Sequence, residues 1–161
     1  MRSVAGHNVL QVGDMTPDQL APKHRVAPIS LERMDNSGGA ASVDVSACYE
    51  AVKKWKRRVE WNRNSVTIED EVELKQPDIV QFRWHLGVPI DAPHRIRAGR
   101  ITAGDVLVSY AADQSVIGVI ESMPDATLVY DKVAEHACVV LRTEHRVERL
   151  KLKTQVARNP S

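Results

Sequence analysis

The stretch from Lys53 to Leu74, KKWKRRVEWNRNSVTIEDEVEL, constrains the fold more than any other. Five basic residues in six are followed, after a short polar break, by four acidic residues in five. Taken in steps of two, Trp55, Arg57, Val59 and Trp61 share one side of a strand, and Lys54, Lys56, Arg58 and Glu60 the other. The second half repeats the pattern: Val66, Ile68, Asp70, Val72 and Leu74 alternate with Thr67, Glu69, Glu71 and Glu73, the period of a half-buried antiparallel strand. Between them NRNS supplies residues suited to a four-residue hairpin loop. If Trp61 faces Val66, then Arg58 faces Glu69, Arg57 faces Asp70, Lys56 faces Glu71 and Lys54 faces Glu73. A slip of one residue would turn every apolar side chain outward, so the register is strongly specified. The basic run is thus expected to find its negative partner on the next strand, each exposed pair contributing ~0.2–1 kcal/mol. A nucleic-acid or polyanion patch is the alternative. Arg57 and Asp70 are expected to form a buried pair among the tryptophans, which is weak evidence for stability.

Alternation continues elsewhere: HNVLQVG, RVAPISLERM, ASVDVSACY, IVQFRWHL, DVLVSYA, SVIGVIES, ATLVYDKV and the long run HACVVLRTEHRVERLKLKTQV. Turn-forming clusters separate these runs: GDMTPDQ, DNSGG, KQPD, VPIDAPH, AGRITAGD and MPD. Nine or ten short strands with no strong helical stretch predict an all-β chain, a two-layer antiparallel β-sandwich. VSACYEAVKKW has a helical look, but its tail is strand by the pairing argument, leaving only a turn around Glu50. Residues 1 to 161 are expected to form a single domain, with 1 to 5 and 158 to 161 as flexible ends. That length suffices to bury roughly 70% of the unfolded surface without staples.

Net charge is +1, which gives no general pull toward nucleic acid or an anionic membrane. The tail is a local exception. From Arg142 to Arg158, six Lys/Arg stand against Glu144 and Glu148, expected to be a solvated sheet edge or a frayed end. Cys48 and Cys138 lie far apart inside apolar runs and are expected to be buried free thiols, with no CxxC pair for a metal. No run approaches a membrane span, and the N-terminus has no signal-peptide core. As written, the chain is expected to be cytoplasmic.

Candidate chemistry is sparse. The histidines are His7, His24, His85, His94, His136 and His145, none of them in HExxH, and neither a nucleotide-binding glycine loop nor GxSxG is present. His85 alternates onto the side of Gln81 and Arg83, opposite Phe82 and Trp84. A strip of Gln81, Arg83 and His85 beside Arg57 would suit sugar hydroxyls or carboxylates; a solvated sheet face is the competing reading. His7, next to Asn8, is a ligand or a cap. Trp55 and Trp61 fall on the apolar face, which favours core packing over a sugar-stacking platform. No cofactor is expected.

The order of these pieces resembles one family. GHNVLQVGDMTP, followed by a strand and then ACYEAVKKWKRRVEWNRNSVTIEDEVELKQPDIVQFRWHL, is similar to the C-terminal β-sandwich of heparinase II/III-like polysaccharide lyases, over residues 6 to 155. One departure is VGDMTP, where the family favours Asp-Gly. The resemblance implies a lineage that cleaves uronic-acid polymers by β-elimination, often in the periplasm or outside the cell. That reaction needs a carboxylate neutraliser, a base and an acid. In the family those groups lie on an α/α toroid and the first part of the sandwich, upstream of the matching HN strand. His7 resembles a histidine of a zinc site in some members, whose partners also lie upstream. Structural zinc takes about four ligands, so the site is expected to be incomplete. Arg57, Asp70 and His85 match recurrent positions of structural character.

Three functions follow as expectations. The first is an accessory module associated with acidic polysaccharide that has no complete active site of its own. The second is a part of a lyase, active only with a separate toroid domain. The third is a self-associating scaffold: a sandwich that normally packs on a toroid should retain an apolar patch, which predicts a homo-oligomer.

Overall fold

The computed structural model describes residues 10–13, 26–89, 91–123, 126–127, 132–133 and 136–159. Its strands are β1 (Leu10–Val12), β2 (Ile29–Asp35), β3 (Gly38–Asp44), β4 (Val52–Asn62), β5 (Ser65–Asp78), β6 (Val80–Pro89), β7 (His94–Arg97), β8 (Arg100–Ala103), β9 (Val106–Ala112), β10 (Val116–Met123), β11 (Ala126–Thr127), β12 (Lys132–Val133), β13 (His136–Thr143) and β14 (Val147–Arg158). An eight-stranded sheet of order β2-β3-β4-β5-β14-β9-β8-β7 packs on a four-stranded sheet of order β1-β6-β13-β10. All pairings are antiparallel, so the two-layer β-sandwich stands. Among the described residues the only helical turn is a 3-10 turn at Ser46–Cys48, just before the Glu50 bend, and no helix is long and apolar enough to cross a membrane.

The charged hairpin forms β4 and β5 in the expected register. Trp61 pairs with Val66, Arg58 with Glu69, Arg57 with Asp70, Lys56 with Glu71 and Lys54 with Glu73, and the ladder shifts by one residue only between Lys54 and Val52. Alternation then does what the period requires. Trp55, Ile68, Val72 and Leu74 go into the core against Val80, Phe82 and Trp84 of β6 and Val139 and Leu141 of β13. Ile101, Val108, Leu150 and Leu152 complete it. Gly118 of β10 is buried where a Cβ would lie 2.5 Å from Ile101 Cδ1, so the absence of a side chain lets the two sheets approach.

Two features of the sequence mislead. The long run from His136 divides at Glu144–Arg146 into β13 and β14, which belong to different sheets. Strand β14, expected as an edge or frayed end, lies in the middle of the eight-stranded sheet between β5 and β9. The physical reason is its own alternation: Leu150, Leu152 and Thr154 are buried, while Arg149, Lys151, Lys153 and Gln155 point to solvent. His94 and residues 98–103, taken as parts of turn clusters, belong to the β7–β8 hairpin, together with Arg95, Ile96 and Arg97 between them. Neither cysteine is bridged to the other; Cys138 is buried and Cys48, expected to be buried, is half-buried.

The centre of the sandwich holds one ion pair. Asp70, with a fully buried side chain, accepts from Arg57 Nε at 2.8 Å, from an Arg57 terminal nitrogen at 3.1 Å and from Trp55 Nε1 at 2.7 Å. The guanidinium carbon lies 5.1 Å from the Trp55 ring centroid, 5.6 Å from that of Phe82 and 5.3 Å from that of Trp84. Burial pushes the Asp70 carboxyl up, opposed by the Arg57 charge and by these hydrogen bonds. Removing one partner strands the other in a dry site. Asp70→Ala is therefore expected to lose about 3–5 kcal/mol in urea unfolding, and the joint replacement Arg57→Met/Asp70→Leu to recover much of it. A double variant no more stable than Asp70→Ala would show that packing, not stranded charge, sets the loss.

Candidate functional site

The outer face of the eight-stranded sheet is a ruled surface of charge, and strand register alone builds it. Across the sheet, Arg58 on β4 aligns with Glu69 on β5 and Lys153 on β14; the next rows are Lys56, Glu71 and Lys151, then Lys54, Glu73 and Arg149. The acidic strand thus lies between two basic ones. The pairs that form are partly diagonal: Lys54 meets Glu71 at 2.7 Å, Lys53 meets Glu73 at 2.5 Å, and Lys153 meets Glu69 at 2.9 Å. Arg58, expected to bind Glu69, instead meets Glu32 of β2 at 2.9 Å and Glu60 at 3.0 Å. Glu69 is claimed from its other side by β14, so self-neutralisation of the hairpin is incomplete. Lys54, Lys56, Arg58, Arg149, Lys151 and Lys153 share this face with Glu69, Glu71 and Glu73, and with Glu32, Asp44 and Glu60 at its β2–β4 side. Lys56, Arg58, Lys151 and Lys153 line an open groove of ≈ 650 Å³ with Glu69 and Glu71.

The polar strip on β6 is real but differently arranged. Gln81, Arg83 and His85 lie on the face of the four-stranded sheet away from Phe82 and Trp84. Arg57 does not join them: it stacks on those two rings from within the core, and the face alternation of β6 keeps it on the opposite side. Arg83 donates to Gln11 Oε1 at 3.1 Å and meets Glu121 at 2.6 Å, with its side chain 11% exposed. His85 Nδ1 lies 2.8 Å from His136 Nε2, and Gln81 is buried. Arg83 and His85 are thus engaged by the protein itself. Trp55 and Trp84 are buried and Trp61 is half-buried. His7 lies outside the described residues, and among these no cluster of three His, Cys, Asp or Glu side chains is placed to hold a metal ion.

Sequence reasoning missed that β14 supplies the second basic row. The signal was present in RLKLKTQ, whose alternate residues are basic over the same length as the acidic run of β5. Opposite charges at matched spacing on two strands favour their pairing.

Fold and face together define a two-layer antiparallel sandwich with one broad, open, charge-ruled sheet. The chain belongs to the heparinase II/III-like C-terminal family, whose model matches residues 1–146. Among solved structures it is similar to heparinase III, with a TM-score of 0.71 at 14% identity, covering 99% of this chain and 25% of that one. Heparan sulfate lyase HepC from Pedobacter heparinus gives a TM-score of 0.73 at 12% identity, again covering 99% of this chain and 25% of the lyase. The chain thus spans about a quarter of the length of these enzymes. No curated protein sequence is significantly similar to it.

The ladder has a pH signature. Hydrogen bonds from Lys153, Lys54 and Lys53 hold Glu69, Glu71 and Glu73 respectively below the ordinary 4.5. For a carboxyl lowered on folding, the stabilisation is complete above its unfolded value and is lost as pH falls through the folded one. Asp70, raised on folding, has the opposite sign. The melting temperature is expected to fall more steeply below pH 4.5 in the native protein than in Glu69→Gln/Glu71→Gln/Glu73→Gln. Asp70 is common to both and cancels in the comparison. Coincident acid limbs in thermal denaturation would show that the ladder contributes no stability.

Proposed function

We propose that this sandwich is a polysaccharide-associated accessory module of the heparinase II/III-like lineage. It holds an acidic glycan along its open sheet face, and a separate toroid domain carries out the elimination. The observation that carries this reading is the order of charge on that face: two basic rows, on β4 and β14, flank one acidic row on β5. The rows of β4 and β14 lie two strand spacings apart, about 10 Å. That interval suits a polymer whose anionic groups are separated by neutral sugar surface. A nucleic-acid strand, with a phosphate roughly every 3.4 Å, would be forced to set phosphates over Glu69, Glu71 and Glu73. The likeness to heparan sulfate lyase supports the glycan assignment. It also supports the dependence on a further domain, since the likeness spans 25% of that enzyme.

The test is a screen of the purified chain against heparin, heparan sulfate, alginate and hyaluronan, by calorimetry and by ultraviolet absorbance of unsaturated uronate. Binding that weakens with salt, without turnover, is the expected result. Lys56→Glu/Lys151→Glu should weaken it by about tenfold, as two rim charges are reversed. Turnover would place an active site in this chain, and silence with all four polymers would end the reading.

A second reading, a self-associating scaffold, has its own observation. On β2, an edge of the eight-stranded sheet among the described residues, Ile29, Leu31 and Met34 are 74%, 61% and 75% exposed, and Val26 beside it 83%. Such an edge favours covering by a second copy. Sedimentation at tens of micromolar is expected to exceed the 17.9 kDa monomer, and Leu31→Glu/Met34→Glu to restore it. A native monomer under those conditions would remove this reading and leave the first untouched.

A further inference from the structure

At the far side of the same face, beyond β9, the β7–β8 hairpin carries a second and different basic feature. Register puts Arg97 directly opposite Arg100, and Arg95 opposite Thr102. Arg100 aligns in turn with Ser109 of β9, and Ser109 with Gln155 of β14, so the arginines share the solvent face with the charge ladder. Three strand spacings, about 14 Å, separate β14 from β7. Here no acidic strand intervenes. Arg95, Arg97 and Arg100 are exposed, and none has a carboxylate oxygen within 4.0 Å among the described residues. They surround a notch of ≈ 450 Å³ that Thr102 and Asn159 also line, with His94 at its margin.

Edge protection explains part of this. Charged residues on an edge strand discourage pairing with another sheet, and β7 is an edge. Arg100 and Thr102, however, lie on β8, an interior strand whose two sides are already paired. Like charges directly opposite each other across a ladder are destabilising, and the register imposes that on Arg97 and Arg100 with no counter-charge. Three guanidiniums, each a planar fork of donors, around a notch with a hydroxyl and an amide match a multivalent oxyanion far better than a water-filled edge.

We propose that this notch binds a tetrahedral oxyanion, a sulfo or phospho group, held by Arg95, Arg97 and Arg100 with Thr102 and Asn159 as neutral partners. The group is either a free inorganic anion or an ester carried on a glycan. In the second case the proposal rests on the polysaccharide reading above and refines it: the ladder holds the chain, and the notch selects for its esterified groups.

The experiment uses the full chain and Arg97→Gln/Arg100→Gln, the variant checked for a cooperative melt no lower than the native one, since these side chains are exposed and their mutual repulsion is relieved. Amide resonances of residues 94–104 are followed by NMR during titration with sodium sulfate and sodium phosphate, against sodium chloride at equal ionic strength. Saturable shifts with the tetrahedral anions alone, absent in the double variant, are expected. Calorimetry with heparin and with chemically desulfated heparin then separates the two sources. Loss of about tenfold in affinity for heparin only, on replacing the two arginines, assigns the site to esters on a glycan. Anion shifts in the native protein without any glycan preference assign it to a free anion, and they would stand even if no polysaccharide bound at all. Equal responses to chloride and sulfate, with glycan affinities indifferent to the double variant, would overturn the site while leaving the ladder's role intact.

Discussion

The Arg57–Asp70 pair is the constraint on which the rest of the sandwich depends. It sits where β4 and β5 face β6, bridged to one sheet by the hydrogen bond from Trp55 and to the other by stacking on Phe82 and Trp84. An ion pair in such a place adds little net stability, because desolvation of both charges offsets most of their attraction. What it adds is discrimination. Shift the hairpin by one residue and a carboxylate or a guanidinium points outward while its partner stays in the core. Only the 57-to-70 register satisfies both, and that register also sets which charges appear outside.

The outer face is therefore a consequence of the inner one. Once Trp55, Asp70, Val72 and Leu152 are committed to the interior, Lys56, Glu71 and Lys151 must align on the surface. No single exposed pair on that surface has much energetic weight. Their collective property is a field: basic, acidic and basic rows in parallel, then a basic hairpin with no acidic row. A surface of this kind binds through several weak, salt-sensitive contacts, which is what an extended polyanion meets more readily than a compact ligand.

Much of this was legible in the residues, and the limits of legibility have physical causes. The β4–β5 register followed from alternation and a hairpin loop, because both are local and one face is buried. The central place of β14 did not follow, because its pairing with β5 closes a loop of 68 residues between Asp78 and Val147, and periodicity carries no information about which strands become neighbours. The β7–β8 hairpin was hidden by its brevity: HRIR and RITA are four residues each, flanked by Pro93 and Gly104, and RITA reads as part of a turn. The polar strip on β6 was placed on the correct face, but Arg57 was assigned to it from proximity in type. Its position on β4 aims it through the core at the other side of the same strand.

The contrast between the two basic regions bears on how such a domain works. In the ladder, each carboxylate is already shared between cations, so an incoming anion must compete with Glu69, Glu71 or Glu73, and binding there is shallow and tolerant of detail. At the hairpin no carboxylate of the described residues lies within ion-pair distance of the three exposed guanidiniums, so an oxyanion gains charge-assisted, directional hydrogen bonds without displacing an acidic partner among them. One face can thus combine a permissive track with a discriminating end. The arrangement follows from strand order, because among the described strands the acidic one long enough to neutralise a basic neighbour is β5. Its influence reaches β4 and β14 on either side, and it stops short of β7 and β8.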